Sequence, residues 1–139
     1  HGLYDGSTFF QNAGHVLQAG PHDNASLLNR FQQDPSLAHV LFQEYSSAMT
    51  HEKYTLGYPG RPGGPDFYIN VADNQQIHGP GGQAHPASDI VANADPCFAR
   101  IAQGHDIIAR IQQSETDDSG AMLHPIRITS MKIVPRAQQ

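Results

Sequence analysis

The sequence predicts a mainly β, loop-rich α+β domain, and three observations carry that prediction. Hydrophobic residues make up only 38% of the 139 residues, with Gly 13 and Pro 10, a composition that suits short strands joined by turns better than a helical bundle. Short aromatic and β-branched runs, of which Phe67-Tyr68-Ile69 is the clearest, follow directly on Gly/Pro-rich stretches that stop a helix and fix a turn. Apolar residues at helical spacing are confined to a few short segments. The length suits one domain over residues 1–139 and is sufficient to bury a sizeable core.

Taken in order, Tyr4 to Gly6 reads as a turn, and Thr8–Gln11 and His15–Gln18 as two strands around the Asn12-Ala13-Gly14 break. Leu27, Leu28 and Phe31 share one face of a helix over Ala25–Gln33, which Pro35 ends. Leu37, Val40, Leu41 and Phe42 suit a second short helix within Ser36–Tyr45. Met49–Leu56 returns as a strand into the Gly57–Pro65 loop, and Phe67 to Val71 is a buried strand. Asp73–Ala94 is long, polar and Gly/Pro-rich, a surface loop of the kind that often carries function. Phe98–Ala102 is a strand, and Gly104 turns the chain into a helix reaching Gln113. Its inward residues are Ile107, Ile108 and Ile111, with Asp106 and Arg110 as an i,i+4 pair. Ser114–Gly120 is an acidic exposed loop and Ile126–Val134 a closing strand. Phe9, Phe67 and Phe98 read as core packing.

The net charge of -5 argues against nucleic-acid binding, which needs a basic face. No stretch reaches the length of a membrane span. Cys97, the one cysteine, excludes an internal disulfide and reads as a small buried hydrophobe. The nine histidines are scattered without a metal-binding spacing, so no metal is expected. A terminal His1 can chelate copper through its amine and ring, but only with a second histidine beside it. The sequon Asn24-Ala25-Ser26 inclines the reading toward the secretory pathway or an organelle lumen.

Three blocks then carry a family likeness: Tyr4 to Phe10 followed by Leu17-Gln18-Ala19-Gly20; Gly63 to Asn70; and Cys97 to Ile111. In this order the chain resembles the cyclophilin family of peptidyl-prolyl isomerases, from Tyr4 to about Val134. The resemblance implies a closed antiparallel β-barrel with capping helices, no cofactor, and a groove for a proline-containing peptide or protein. It also implies two strands and a helix before Tyr4, where this sequence has three residues. The barrel is therefore expected to be incomplete at its N-terminal side. An upstream segment or a protein partner should cover its edges, in contact with Thr8–Gln18 or Ile126–Val134.

The resemblance assigns site positions as well. Proline isomerisation proceeds by holding a twisted amide and donating a hydrogen bond to the prolyl nitrogen. The family's arginine, two residues after the first aromatic, is Gln11 here, an uncharged donor in place of a charged, rigid one. In Gly14-His15-Val16-Leu17-Gln18, His15 stands where the family has phenylalanine, Val16 follows it in the pocket wall, and Gln18 is retained. Tyr68 takes the pocket-floor position, the loop tryptophan is missing, and Asp95 replaces a histidine. Arg61 and Arg100 are the cations that could substitute for the lost arginine. The changes imply a domain with little isomerase activity that serves as a peptide-binding or structural subunit; the alternative is a working, divergent isomerase. The Asp73–Ala94 loop is expected beside the groove, filling or covering it.

Overall fold

A computed structural model describes residues 2–36, 45–59, 65–82 and 94–135. The elements are β1 (Thr8–Asn12), β2 (Val16–Gly20), α1 (Ala25–Gln33), β3 (Thr55–Gly57), β4 (Phe67–Asn70), α2 (Gln75–His78), β5 (Cys97–Arg100), α3 (His105–Ile111) and β6 (Ala121–Arg127). The strands form one antiparallel sheet in the order β5-β3-β4-β2-β1-β6. Among the described residues no pairing joins β5 to β6, so the sheet is open between these two edge strands.

The two faces of the sheet differ in chemistry. Leu17 lies opposite Ile69, and Ala19 opposite Phe67. Directly opposed residues share a face, and these four form the core with Val71, Ile108 and Ile111 of the α3 helix, and Met122 of β6. The reverse face carries Val16 opposite Asn70 and Gln18 opposite Tyr68, with Gly57 opposite Tyr68 on the next strand. β1 carries a register shift between Phe9 and Gln11. Phe9 pairs with Ala19 and packs on the core, whereas Gln11 pairs with Gln18. A bulge of this kind re-aims a side chain; here it turns Gln11 to the face of Tyr68. In an unbroken strand Gln11 would follow Phe9 into the core.

Both long helices begin at caps that the sequence contains. Asn24 Oδ1 accepts from the Leu27 backbone N–H at 3.1 Å and caps α1, whose Leu27 and Phe31 are buried. Gly104, at φ 84°, holds the left-handed turn before α3. Phe31 meets the Tyr4 ring edge-on at 5.4 Å, and Tyr4 meets Phe67 at 5.6 Å, which ties α1 to the sheet.

Several sequence expectations require correction. The strand predicted over Met49–Leu56 is only Thr55–Gly57, because residues before it turn so that His51 and Thr55 can point into a buried polar cluster. The closing strand runs Ala121–Arg127 rather than Ile126–Val134, and its partner is β1. Ile133 and Val134, read as strand, are 97% and 82% exposed. β1 and β2 each have a neighbour on both sides, so the expected open edge over Thr8–Gln18 is covered within the chain. Ile107 is exposed, since only Ile108 and Ile111 of α3 meet the sheet. Asp106 and Arg110 form no ion pair among those of the described residues. Phe98 is 43% exposed and stacks on Tyr58 at 4.3 Å instead of entering the core. The predicted second helix falls largely on 37–44, outside the described residues, as do 60–64 of the Gly/Pro loop and 83–93 of the long loop.

Candidate functional site

The cross-strand row Gln11–Gln18–Tyr68–Gly57 runs through β1, β2, β4 and β3 on the face opposite the core. Four of the six predicted site residues, Gln11, Val16, Gln18 and Tyr68, therefore share one surface. The row ends at Gly57 for a steric reason. A Cβ there would stand 2.6 Å from Cζ and Oη of Tyr68, so only a bare backbone lets the tyrosine ring lie across β3.

Tyr68 is 1% exposed and Asp95 likewise 1%. The Tyr68 hydroxyl donates to Asp95 Oδ2 at 3.0 Å, and His78 Nδ1 donates to the same oxygen at 2.8 Å. A carboxylate only accepts, so this contact places the proton of the His78 ring on Nδ1. The His78 ring stacks on Tyr68 with centroids 4.7 Å apart and planes at 30°. His15, on the β1–β2 turn, stacks on His78 at 5.5 Å and 16°, and its Nδ1 donates to Ala13 O at 3.1 Å.

Behind these rings lies a second layer that sequence reasoning missed: His51, Thr55, Asn70 and Asn74, all buried. His51 Nε2 donates to the backbone oxygen of Asp95 at 2.9 Å. Its bare Nδ1 faces the Tyr68 hydroxyl and Asn70 Nδ2, each at 3.4 Å. The tyrosine hydrogen is directed at Asp95, so Asn70 supplies the hydrogen that this nitrogen accepts. Asn70 Nδ2 also donates to Thr55 Oγ1 at 3.0 Å, and Asn70 Oδ1 accepts from Asn74 Nδ2 at 2.7 Å. Asn74 in turn donates to His15 O at 2.8 Å. The network thus spans β3, β4, α2, the turn before β2 and the segment before β5. The spacing of four between Asn70, Asn74 and His78 was its one trace in the sequence; His51 gave none.

Burial sets the protonation states. It holds the His51 pKa below the usual histidine value, because a charged ring there would lose water and turn a donor toward the Asn70 amide. Burial, with the Asp95 charge beside it, pushes the Tyr68 hydroxyl far above the usual phenol value, so it stays a donor. Burial likewise raises the Cys97 thiol, which donates to Thr50 O at 3.4 Å and is inert where it sits.

Gln11 Nε2 donates to the backbone oxygen of Ser119 at 3.0 Å. Its amide is therefore held by the turn before β6. Arg100 is paired with Glu52 at 2.8 Å on the surface, away from this row, and Arg61 lies outside the described residues. Among the described residues no group of three or more His, Cys, Asp or Glu side chains is arranged to hold a metal ion. None of their helices is long and apolar enough to cross a membrane.

No curated protein matches this chain in sequence. Among solved structures, it is similar to a Cryptosporidium parvum cyclophilin-type peptidyl-prolyl cis-trans isomerase, with a TM-score of 0.66 at 14% identity over 93% of this chain and 74% of that one. A second structure of that isomerase, determined in the presence of the dipeptide Ala-Pro, gives a TM-score of 0.69 at 15% identity over 97% and 78% of the two chains. The family profile described as cyclophilin type peptidyl-prolyl cis-trans isomerase/CLD matches residues 1–133. With its antiparallel sheet, its bulged first strand and a sequence match over nearly its whole length, the chain belongs to the cyclophilin-type peptidyl-prolyl isomerase family.

Proposed function

We propose that this is a divergent cyclophilin-like domain with little isomerase activity, which binds a proline-containing peptide or protein as a binding or structural subunit. The observation that carries the reading is the state of Gln11. It stands where the family resemblance puts the arginine, it bears no charge, and one of its two amide hydrogens is engaged by Ser119 O, which anchors the amide to the turn before β6. Neutral donors stabilise a developing charge about half as well as ionised ones. Loss of one such preorganised donor typically lowers turnover by about 10²–10³-fold. The groove face, with Gln11, His15, Val16, Gln18, Tyr68 and Asp95, would then serve recognition rather than turnover. Among the described residues, β5 and the later part of β6 have no strand neighbour on their outer side and offer backbone groups to a protein partner, while the start of β6 is covered by Glu115–Asp117.

The second reading, a working isomerase, is favoured by one feature: the family's glutamine, Gln18, and a conservative aromatic match, Tyr68, lie side by side in register. A proline-isomerisation assay on an X-Pro peptide separates the two. Turnover about 10²-fold or more below that of an active cyclophilin is expected, together with amide shifts around Gln11 and Gln18 when a longer proline-containing peptide is titrated into the labelled protein. Ordinary turnover would establish the second reading.

A further inference from the structure

Deepening the peptide-binding reading, we propose that His78 is the residue that decides what the groove admits: its imidazole occupies the place against Tyr68 that a prolyl ring would take, and Asp95 pins it there. Three observations converge. The first is position: Tyr68 lies in the floor position of the row that Gln11 and Gln18 continue, yet it is 1% exposed, and the ring stacked on its face is that of His78. The second is shape. Imidazole and pyrrolidine are both flat or nearly flat five-membered rings, so a stacked imidazole fills the volume a prolyl ring needs. The third is fixation. His78 donates to Asp95 Oδ2 at 2.8 Å, and the Asp95 backbone N–H donates to His78 O at 2.9 Å, so ring and backbone are held by one residue. His15 closes the other side of the ring by stacking at 5.5 Å.

His78 is 7% exposed, so its ring lies between the buried Tyr68 and the half-buried His15, and its removal leaves a space between those two rings. A cavity lined by rings that matches a small ligand takes up that ligand. With His78 in place the wild-type groove excludes a seated proline and recognises peptide by its polar rim, Gln11, His15 and Gln18. With the ring removed, the same groove accepts Ala-Pro.

The test is titration of the dipeptide Ala-Pro into the labelled full chain, followed by NMR and calorimetry, for wild type, H78A, D95N and the exposed α2 control Q76A. H78A is expected to bind at least about tenfold tighter than wild type, with shifts centred on Tyr68 and Gln18. D95N, which removes the charge that pins the ring, should fall between them, and Q76A should match wild type. Dipeptide binding over Tyr68 in the wild type, with the His78–Tyr68 ring contacts retained, would overturn the proposal. So would a folded H78A no better than wild type; if H78A does not fold, a D95N indistinguishable from wild type has the same force. The peptide-binding reading has its own arm. If a longer proline-containing peptide leaves the wild-type rim unshifted while H78A gains Ala-Pro, that reading fails and the role of His78 stands.

Discussion

Gly57 lies directly across the β3–β4 ladder from Tyr68, so close that any Cβ on Gly57 would stand 2.6 Å from the tyrosine ring. One hydrogen atom at this position keeps the floor of the site flat. Gly57→Ala should displace Tyr68 from its stack with His78 and cost about 1–3 kcal/mol of stability, as overpacking does. Thermal melts measure the cost, and loss of the His78–Tyr68 ring contacts in NMR shows where it falls. An unchanged ring contact would count against the steric account.

Asp95 is the buried charge to which Tyr68 and His78 both donate. Asp95→Asn keeps the shape and loses the charge, and hydrogen bonds to a charged group are worth about 1.5–3 kcal/mol each. A destabilisation of that order is expected, larger for Asp95→Leu, which removes the acceptor that both donors share. Denaturant melts of the two variants give the ranking; the reverse order would show that the cluster is not held by this carboxylate.

The network also predicts a pH dependence. His51 is neutral in the folded protein because burial holds its pKa below the ordinary value, whereas unfolded it titrates near the ordinary histidine value of about 6.5. The unfolded chain therefore binds the extra proton first. The His51 contribution to stability is complete above about pH 6.5 and is lost as pH falls through that value toward the folded pKa. Melting temperature should drop between pH 7 and 5, and His51→Gln should flatten that part of the curve even if it lowers the whole of it. An equally steep acid limb in the variant would place the titration elsewhere.

The isomerase chemistry should need two changes together. Gln11→Arg restores a charged donor, but over a Tyr68 still covered by His78 it should leave turnover low. The double variant Gln11→Arg/His78→Ala should exceed the sum of the two single effects in the X-Pro assay. Strict additivity would mean that the two positions act on different steps.

Asn24, at the start of α1, offers a separate check. Its side chain caps α1, so Asn24→Ala should cost about 1 kcal/mol, while Asn24→Asp keeps the acceptor and should cost little. Both remove the sequon, so the two melts separate capping from any glycan.

Much of this fold could be read from local signals because those signals are local in origin. Asn24 and Pro35 bound α1, Gly104 opens α3, and the aromatic and β-branched run Phe67–Ile69 becomes a strand buried on both faces. Gln11, Val16, Gln18 and Tyr68 were named from sequence and share one face. His51 and His78 were not, because their roles depend on contacts across 44 and 17 residues of chain. Ile126–Val134 misled because an alternating apolar pattern looks like a strand whether or not a partner is present. β1 pairs with Ile126 and Arg127 but takes its remaining partner back at Ala121, so the strand begins five residues earlier and ends at Arg127.

The bulge in β1 has a consequence for how such a domain can change over time. An unbroken strand would load Phe9 and Gln11 onto one surface, and any substitution at either would be judged by the same packing. One extra residue separates them, so Phe9 answers to the core and Gln11 to whatever lies over the groove. The scaffold and its recognition surface can therefore drift independently at positions two apart. The converse is that the bulge and the extra residue belong together: Phe10 could be lost and leave Phe9 and Gln11 as neighbours alternating across a regular strand, whereas straightening β1 with Phe10 retained would send an amide into the hydrocarbon interior.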